Sequence, residues 1–272
     1  MQFGFVIPGG DAHEIVEMGV EIEKAGWDAA FGWETVYGLD PWVLLGAMAA
    51  QTSRVRLGPL LTPPSRRRPW KLAAEVATLD RLSNGRAVLI VGLGATMTGF
   101  GEVGEETDRK IRAELLDESL SLMQQFWTGE PFTHSGMHYQ VDWNMPNWNL
   151  QPVQQPRVPI WTVALWPSER SMTRAFGLDG CLPYVKGDTE AENAINADDV
   201  AAIIKAASER KPAGETFDIV IEGVTPLGDD TALEKVRAFA GAGATWWVES
   251  MWDNPGGLNA VRERIAAGPP KL

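Results

Sequence analysis

Three carboxylates, three histidines and a few short loop motifs are the residues whose types and spacing could do chemistry in this chain. Glu34, Glu222 and Glu249 each follow an apolar run. Any of them could act as a base or hold a ligand hydroxyl, and each could equally be solvated or salt-bridged. We take Glu34 as the candidate catalytic residue. His13, His134 and His138 show no metal-ligand spacing with Cys, Asp or Glu. Gly136 lies between the last two, in an expected hairpin, which argues against a helical pair of ligands. All three read as surface groups, and no metal site is expected. Neither a Gly-x-Ser-x-Gly element nor a P-loop occurs. With no nucleophile and no metal in view, the pattern points to an organic cofactor that carries the chemistry.

Gly92-Leu93-Gly94 is either a tight turn or a place where a ligand approaches the backbone closely. Ser168-Glu169-Arg170 opens a helix, whose free N–H groups and dipole make either an ordinary cap or a phosphate seat. An anion gains only about 0.3–1 kcal/mol at such a helix end, so a bound phosphate there would also need Arg170 or hydroxyl groups. Arg66-Arg67-Arg68 is either a solvated loop or a grip on an anionic tail.

These residues need a frame to position them. From Arg54 to Gly94 the chain reads as strand, loop, helix, turn and strand. An apolar run through Leu60-Leu61 stops at Thr62-Pro63-Pro64, where prolines remove donors. Leu72, Ala73, Val76, Leu79 and Leu82 then fall at helical spacing. Ser83-Asn84-Gly85 stops the helix, and Ala87 to Val91 is a short strand apolar on both faces. This βαβ unit implies a parallel sheet, with ligands beyond the carboxyl ends of its strands.

The rhythm extends over the whole chain. Strands are expected at residues 3–7, 28–33, 55–61, 87–91, 158–164, 180–182 (ended by Pro183), 217–221 and 245–248. Asp11 with Glu14 predicts a capping box, and Asp40-Pro41 a second helix start. Helices are also expected over about 107–127 and about 189–207, the latter with a break near Asn196. Residues 130–157 interrupt the pattern with a small hairpin around Phe132, Gly136 and Tyr139, then an irregular loop rich in Trp and Asn. Eight strands alternating with eight helices in a chain of 272 residues predict an α/β fold, a (β/α)8 TIM barrel with a parallel eight-stranded sheet and an irregular insertion at 130–157. No linker or repeat divides it, so residues 1–272 are expected to form a single domain.

Composition narrows the partners. A net charge of −12 argues against a general nucleic-acid binder. No apolar run reaches the roughly 18 residues of a membrane span, and no signal peptide is evident. One cysteine, Cys181, excludes an internal disulfide framework and fits a reducing cytoplasm. Twelve tryptophans, several in loops or at strand ends (Trp33, Trp143, Trp148, Trp166, Trp252), suit a flat apolar or aromatic ligand.

Four stretches give the chain a family likeness. They are Phe3-Gly4-Phe5 with residues 23–28 (EKAGWD); residues 47–58 (AMAAQTSRVRLG); residues 77–86 (ATLDRLSNGR) with Val91 to Gly94; and Arg112 through Glu118 to Trp127-Thr128-Gly129. Pro159-Ile160-Trp161, Arg174-Ala175-Phe176 and Asp179-Gly180 continue it. In these the chain resembles the bacterial luciferase-like monooxygenases, flavin- or deazaflavin-dependent enzymes on a (β/α)8 barrel. The resemblance covers about residues 1 to 183 and implies an oxidoreductase acting on a small organic substrate. Its cofactor would be reduced FMN with oxygen, or the deazaflavin coenzyme F-420 for hydride transfer. The ring would lie over the strand ends, with Pro8, Thr62, Gly92, Leu93 and Gly94 along it or its tail. Ala164, Ser168 and Arg170 would meet the phosphate. The family also implies a nonprolyl cis peptide near Leu61-Thr62, and a homodimer. Where many members have an Asp-His pair after strand two, this chain has Glu34-Thr35. That departure motivates the alternative of a non-catalytic, flavin-binding or accessory barrel. A metal-free aldolase or isomerase would want a buried lysine, and Lys186 alone lies near a strand end.

Overall fold

The computed structural model describes residues 1–145, 150–186, 194–212 and 214–272. In chain order the elements are β1 (Gln2–Val6), α1 (Ala12–Lys24), β2 (Ala29–Gly32), α2 (Pro41–Gln51), β3 (Arg56–Pro59), α3 (Pro69–Leu82), β4 (Leu89–Val91) and α4 (Arg109–Thr128). There follow β5 (Phe132–Ser135), β6 (Gln140–Trp143), β7 (Ile160–Trp166), α5 (Glu169–Phe176), β8 (Gly180–Val185), α6 (Ala197–Arg210), β9 (Asp218–Gly223), α7 (Asp230–Ala242), β10 (Trp246–Ser250) and α8 (Gly257–Ala266). Eight strands form one parallel sheet in the order β3-β2-β1-β10-β9-β8-β7-β4. Bridges Leu57–Ala87 and Thr62–Val91 join its two ends, so the sheet closes on itself as a barrel with the helices outside. At this closure a Cβ on Gly58 would stand 2.1 Å from the Val88 carbonyl oxygen, so only glycine lets β3 approach β4.

Side chains fill the barrel in layers. Val6, Phe31, Ile90, Trp161, Val220, Trp246 and Val248 point inward, with Trp161 and Trp246 rings 5.2 Å apart. A larger apolar layer between sheet and helices includes Phe5, Trp27, Leu57, Leu89, Ala164 and Ile219. Local signals act as expected at the helix starts. The Asp11 side chain accepts from the His13 and Glu14 N–H groups while Glu14 reaches back to the Asp11 N–H. Asp40 caps α2, with Pro41 in its first turn.

One expectation needs correction. Pro183 does not end β8, which pairs with β7 as far as Val185. β9 pairs with β8 only at Gly180 and Cys181, so Pro183 lies where one neighbour has already left the ladder. The helix expected over about 189–207 is interrupted at Asn196 as expected, where Asn196 and Asp199 form a capping box that starts α6 at Ala197; residues 187–193 lie outside the described residues. The expected nonprolyl cis peptide joins Leu60 and Leu61, next to Leu61-Thr62, and Gln155-Pro156 and Trp166-Pro167 are also cis.

The insertion begins with the expected hairpin, β5 paired antiparallel to β6. Its loop is pinned by a partner the pattern did not reveal. Buried Asp80 of α3 accepts from the Val153 N–H (2.6 Å), the Gln154 N–H (2.9 Å) and Gln154 Nε2 (2.7 Å). Trp148 lies outside the described residues, and Trp143 packs on Phe126, with ring centroids 5.4 Å apart. No helix among the described residues is long and apolar enough to cross a membrane.

Candidate active site

The strand ends surround a cavity of about 980 Å³. Its floor is apolar: Leu60 and Leu61 after β3, Leu93 after β4, and Val163 and Leu165 on β7. The start of α4 supplies Arg109, Lys110 and Arg112, and the start of α5 supplies Ser168, Arg170 and Ser171. Trp33, Glu34, Tyr184 and Trp252 complete the mouth.

The loop after β4 is shaped by its glycine and an arginine. Gly94 has φ +75°, and a Cβ there would meet the Phe100 ring at 2.7 Å and Pro63 at 3.0 Å. Buried Arg112 donates from Nη1 to the carbonyls of Leu93 and Gly94, and its Nε has no partner among the described residues. Among the described residues no side chain caps α5, so its first-turn N–H groups lack a side-chain acceptor there. Arg109 and Arg170 are exposed and have no ion-pair partner among the described residues. Cations at Arg109 and Lys110 oppose the dipole of α4, which favours anions at a helix start. That placement is the signal by which the sequence could have revealed them.

Of the residues singled out beforehand, Leu93, Gly94, Ser168, Arg170 and Glu34 line the cavity. Pro8, Thr62, Gly92 and Ala164 stand behind it. Pro8 accepts from Trp33 Nε1 (2.9 Å), and Thr62 is fully buried with its hydroxyl on Glu34. Gly92 lies under Leu61 and Val163. Ala164 faces the helices, while its neighbours Val163 and Leu165 face the mouth.

Glu34 is held on both oxygens. Thr62 Oγ1 donates to Oε2 (2.8 Å), while Arg67 Nη2 (3.2 Å) and Arg66 Nη1 (3.4 Å) lie against Oε1. Glu75, Asp40 and Glu105 complete the surroundings of the two arginines. Arg66 and Arg67 therefore form neither a solvated loop nor an open grip on an anion, and Arg68 lies against the Trp70 ring instead. Glu249 is wholly buried, accepting from the Thr225 N–H and hydroxyl and paired with Arg264 (3.3 Å). Glu222 differs from both: among the described residues its one partner is Trp252 Nε1 at 3.4 Å. His13 is exposed as expected. His134 and His138 are not free surface groups, because they lie against Glu118 (2.9 Å) and Glu114 (3.4 Å) of α4. Burial pushes the Cys181 thiol up, so it is no thiolate nucleophile.

Comparison with known proteins agrees with this architecture. A sequence model of the luciferase-like monooxygenases matches residues 1–266. An uncharacterized protein of Mycobacterium tuberculosis is 37% identical over 122 residues, 45% of this chain and 42% of the relative. The chain thus spans about two fifths of that relative's length. An F-420-dependent glucose-6-phosphate dehydrogenase of Microbacterium testaceum is 28% identical over 242 residues, 84% of this chain and 69% of the relative. The coenzyme F-420-dependent tetrahydromethanopterin reductase of Methanopyrus kandleri shares the fold, with a TM-score of 0.75 at 19% identity over 98% of each chain. With the family's pattern matched along nearly its whole length and its barrel closed around a strand-end cavity, the chain belongs to the luciferase-like monooxygenase family.

Proposed function

We propose that this protein is an oxidoreductase that binds the deazaflavin coenzyme F-420 in the strand-end cavity and uses it on a small organic substrate. The observation that carries this reading is the pairing of an apolar floor with two lining cations, Arg109 and Arg170, that have no ion-pair partner among the described residues. A flat ring system needs the first, and a phosphate-bearing, polyanionic tail needs the second. The F-420 dependence of the Microbacterium relative supports the choice of cofactor.

The residues present fit such a group. Leu60, Leu61, Leu93, Val163 and Leu165 would hold the ring against apolar surface. Gly94 keeps the β4 loop low, and Arg112 fixes that loop through its carbonyls. Ser168, Arg170 and the open amides of α5 would take the phosphate, with Arg109 beside them. When bound, the deazaflavin supplies or accepts a hydride. The chain's own contribution is to position the ring, exclude water from its buried face and handle the substrate's proton. Glu34, with both oxygens engaged, is given no proton-transfer role here.

A binding titration tests this. Protein stripped of cofactor is mixed with F-420 and with FMN, each oxidised and reduced, and followed by absorbance and fluorescence. F-420 should bind, and more weakly as salt rises. Tight binding of reduced FMN alone, with oxygen consumption, would replace this reading by a monooxygenase. Binding of neither would leave a non-catalytic barrel.

A further inference from the structure

The half of the mouth opposite α5 is built from different material. Trp33 and Trp252 meet edge to face, with centroids 5.8 Å apart, and both keep an open surface (37% and 48% exposed). Trp33 is tethered through Nε1 to the Pro8 carbonyl, and Trp252 through Nε1 to Glu222. Glu222 sits on β9 in phase with the inward-facing Val220, so its carboxyl belongs to the barrel's inner face. Protein surrounding it disfavours the charged form and raises its carboxyl above the usual range, although the residue is exposed; it stands behind Trp252, which lines the cavity.

We propose that Trp33, Trp252 and Glu222 form the substrate seat: an aromatic ledge for an apolar molecule, with Glu222 as the hydrogen-bonding and proton-exchanging partner of that molecule's hydroxyl or carbonyl oxygen. The assignment rests on the deazaflavin reading for its chemistry and on the geometry alone for its binding. The three strand-end carboxylates decide the matter by their partners. Glu34 is engaged by two arginines and a threonine, and Glu249 by Arg264 and Thr225. Glu222 has no cation beside it among the described residues, and an indole N–H leaves most of its acceptor capacity open. A neutral oxygen suits either protonation state, since the carboxylate accepts from a hydroxyl and the carboxylic acid donates to a carbonyl. With an oxidised deazaflavin bound as hydride acceptor, an alcohol would lose its C–H electron pair and hydrogen as hydride while its O–H proton passed to a Glu222 carboxylate oxygen and the C=O bond formed. The reverse reaction returns both.

The test uses 3-nitrophenol, an aromatic probe with a weakly acidic hydroxyl whose ionised form absorbs visibly. It is titrated with pH in the presence of the wild-type protein, Glu222→Gln and Trp252→Phe, each first shown to be folded by circular dichroism. In the wild type the bound phenol should ionise about one pH unit or more higher than free phenol, the order a neighbouring carboxylate imposes. Glu222→Gln should abolish that shift while still binding the probe. Trp252→Phe should keep the shift and weaken binding. Equal shifts in wild type and Glu222→Gln would overturn the role of Glu222, and no binding to the wild type would overturn the seat. F-420 titrated against the same proteins separates the two readings. A phenol shift without F-420 binding would leave the seat and remove the cofactor, whereas F-420 binding without the shift would do the reverse.

Discussion

Two arginine groups border the same mouth and behave in opposite ways. Arg66 and Arg67 are largely buried, with side chains 12% and 16% exposed, and are ringed by Glu34, Glu105, Asp40 and Glu75. Arg109 and Arg170 are exposed on the cavity wall without an ion-pair partner among the described residues. The first group ties the loops after β2 and β3 together. The second makes no such tie among the described residues. A cluster of three cations in a row is the more conspicuous feature of the sequence, yet it is the scattered pair that faces the ligand cavity. Charge density in the sequence says where cations are, and only the partners say whether they are spent.

The largest effect expected from breaking this contrast is at Glu34. Glu34→Ala leaves two buried guanidinium groups short of a counter-charge, and removing one partner of such a pair costs roughly 3–5 kcal/mol. Urea denaturation reads it, and a loss below about 1 kcal/mol would show that the cluster is not locked. Arg170→Ala should do the converse. Its stability should stay within about 0.5 kcal/mol of wild type, while F-420 affinity falls by about 1.5–3 kcal/mol, the worth of a charge-assisted hydrogen bond. Unchanged affinity would remove Arg170 from the anion seat. Between the two groups stands Gly94. Gly94→Ala forces a left-handed residue at about 1–2 kcal/mol and pushes its Cβ toward Phe100, so thermal stability and cofactor binding should drop together.

The smallest effect concerns a charge cluster remote from the mouth. Glu118 accepts from the His138 N–H (2.9 Å) and the Tyr139 N–H (2.8 Å) and lies 2.9 Å from His134 Nε2. Burial opposes its ionisation, but these bonds outweigh that and hold its carboxyl below the usual carboxylate range. A group lowered by folding stabilises above its unfolded pKa, and the contribution disappears as pH falls through the folded value. Acid should therefore loosen the β5–β6 hairpin from α4 by no more than about 1 kcal/mol, the range of solvent-screened pairs. Amide exchange of β5 and β6 measured against pH reads this, and Glu118→Gln should remove the pH dependence.

Much of the fold was legible because it is local. Apolar period, Asp11 with Glu14, Asp40 with Pro41, and Gly129 after α4 each act within a few residues, and they suffice to lay out the alternating units and the hairpin. The passage of β8 through Pro183 was not legible, because the departure of β9 from the ladder, which lets the strand carry a proline, depends on a segment far away in the chain.

The site was legible only as a set of strand ends. β7 reads Ile-Trp-Thr-Val-Ala-Leu-Trp and is apolar on both faces. A strand buried between barrel core and helices has no alternation to say which residues look inward, so Ala164 could not be told from Val163 and Leu165. The sequence alone determined that strands and helices alternate and roughly where the strands end, since propensity, capping and period are properties of neighbouring residues. Tertiary structure alone decided which carboxylate is spent on arginines, which has only an indole N–H beside it among the described residues, and which cavity-lining cations have no ion-pair partner there. Those outcomes depend on residues brought together from loops 30 or more positions apart, as Glu34 and Arg66 are.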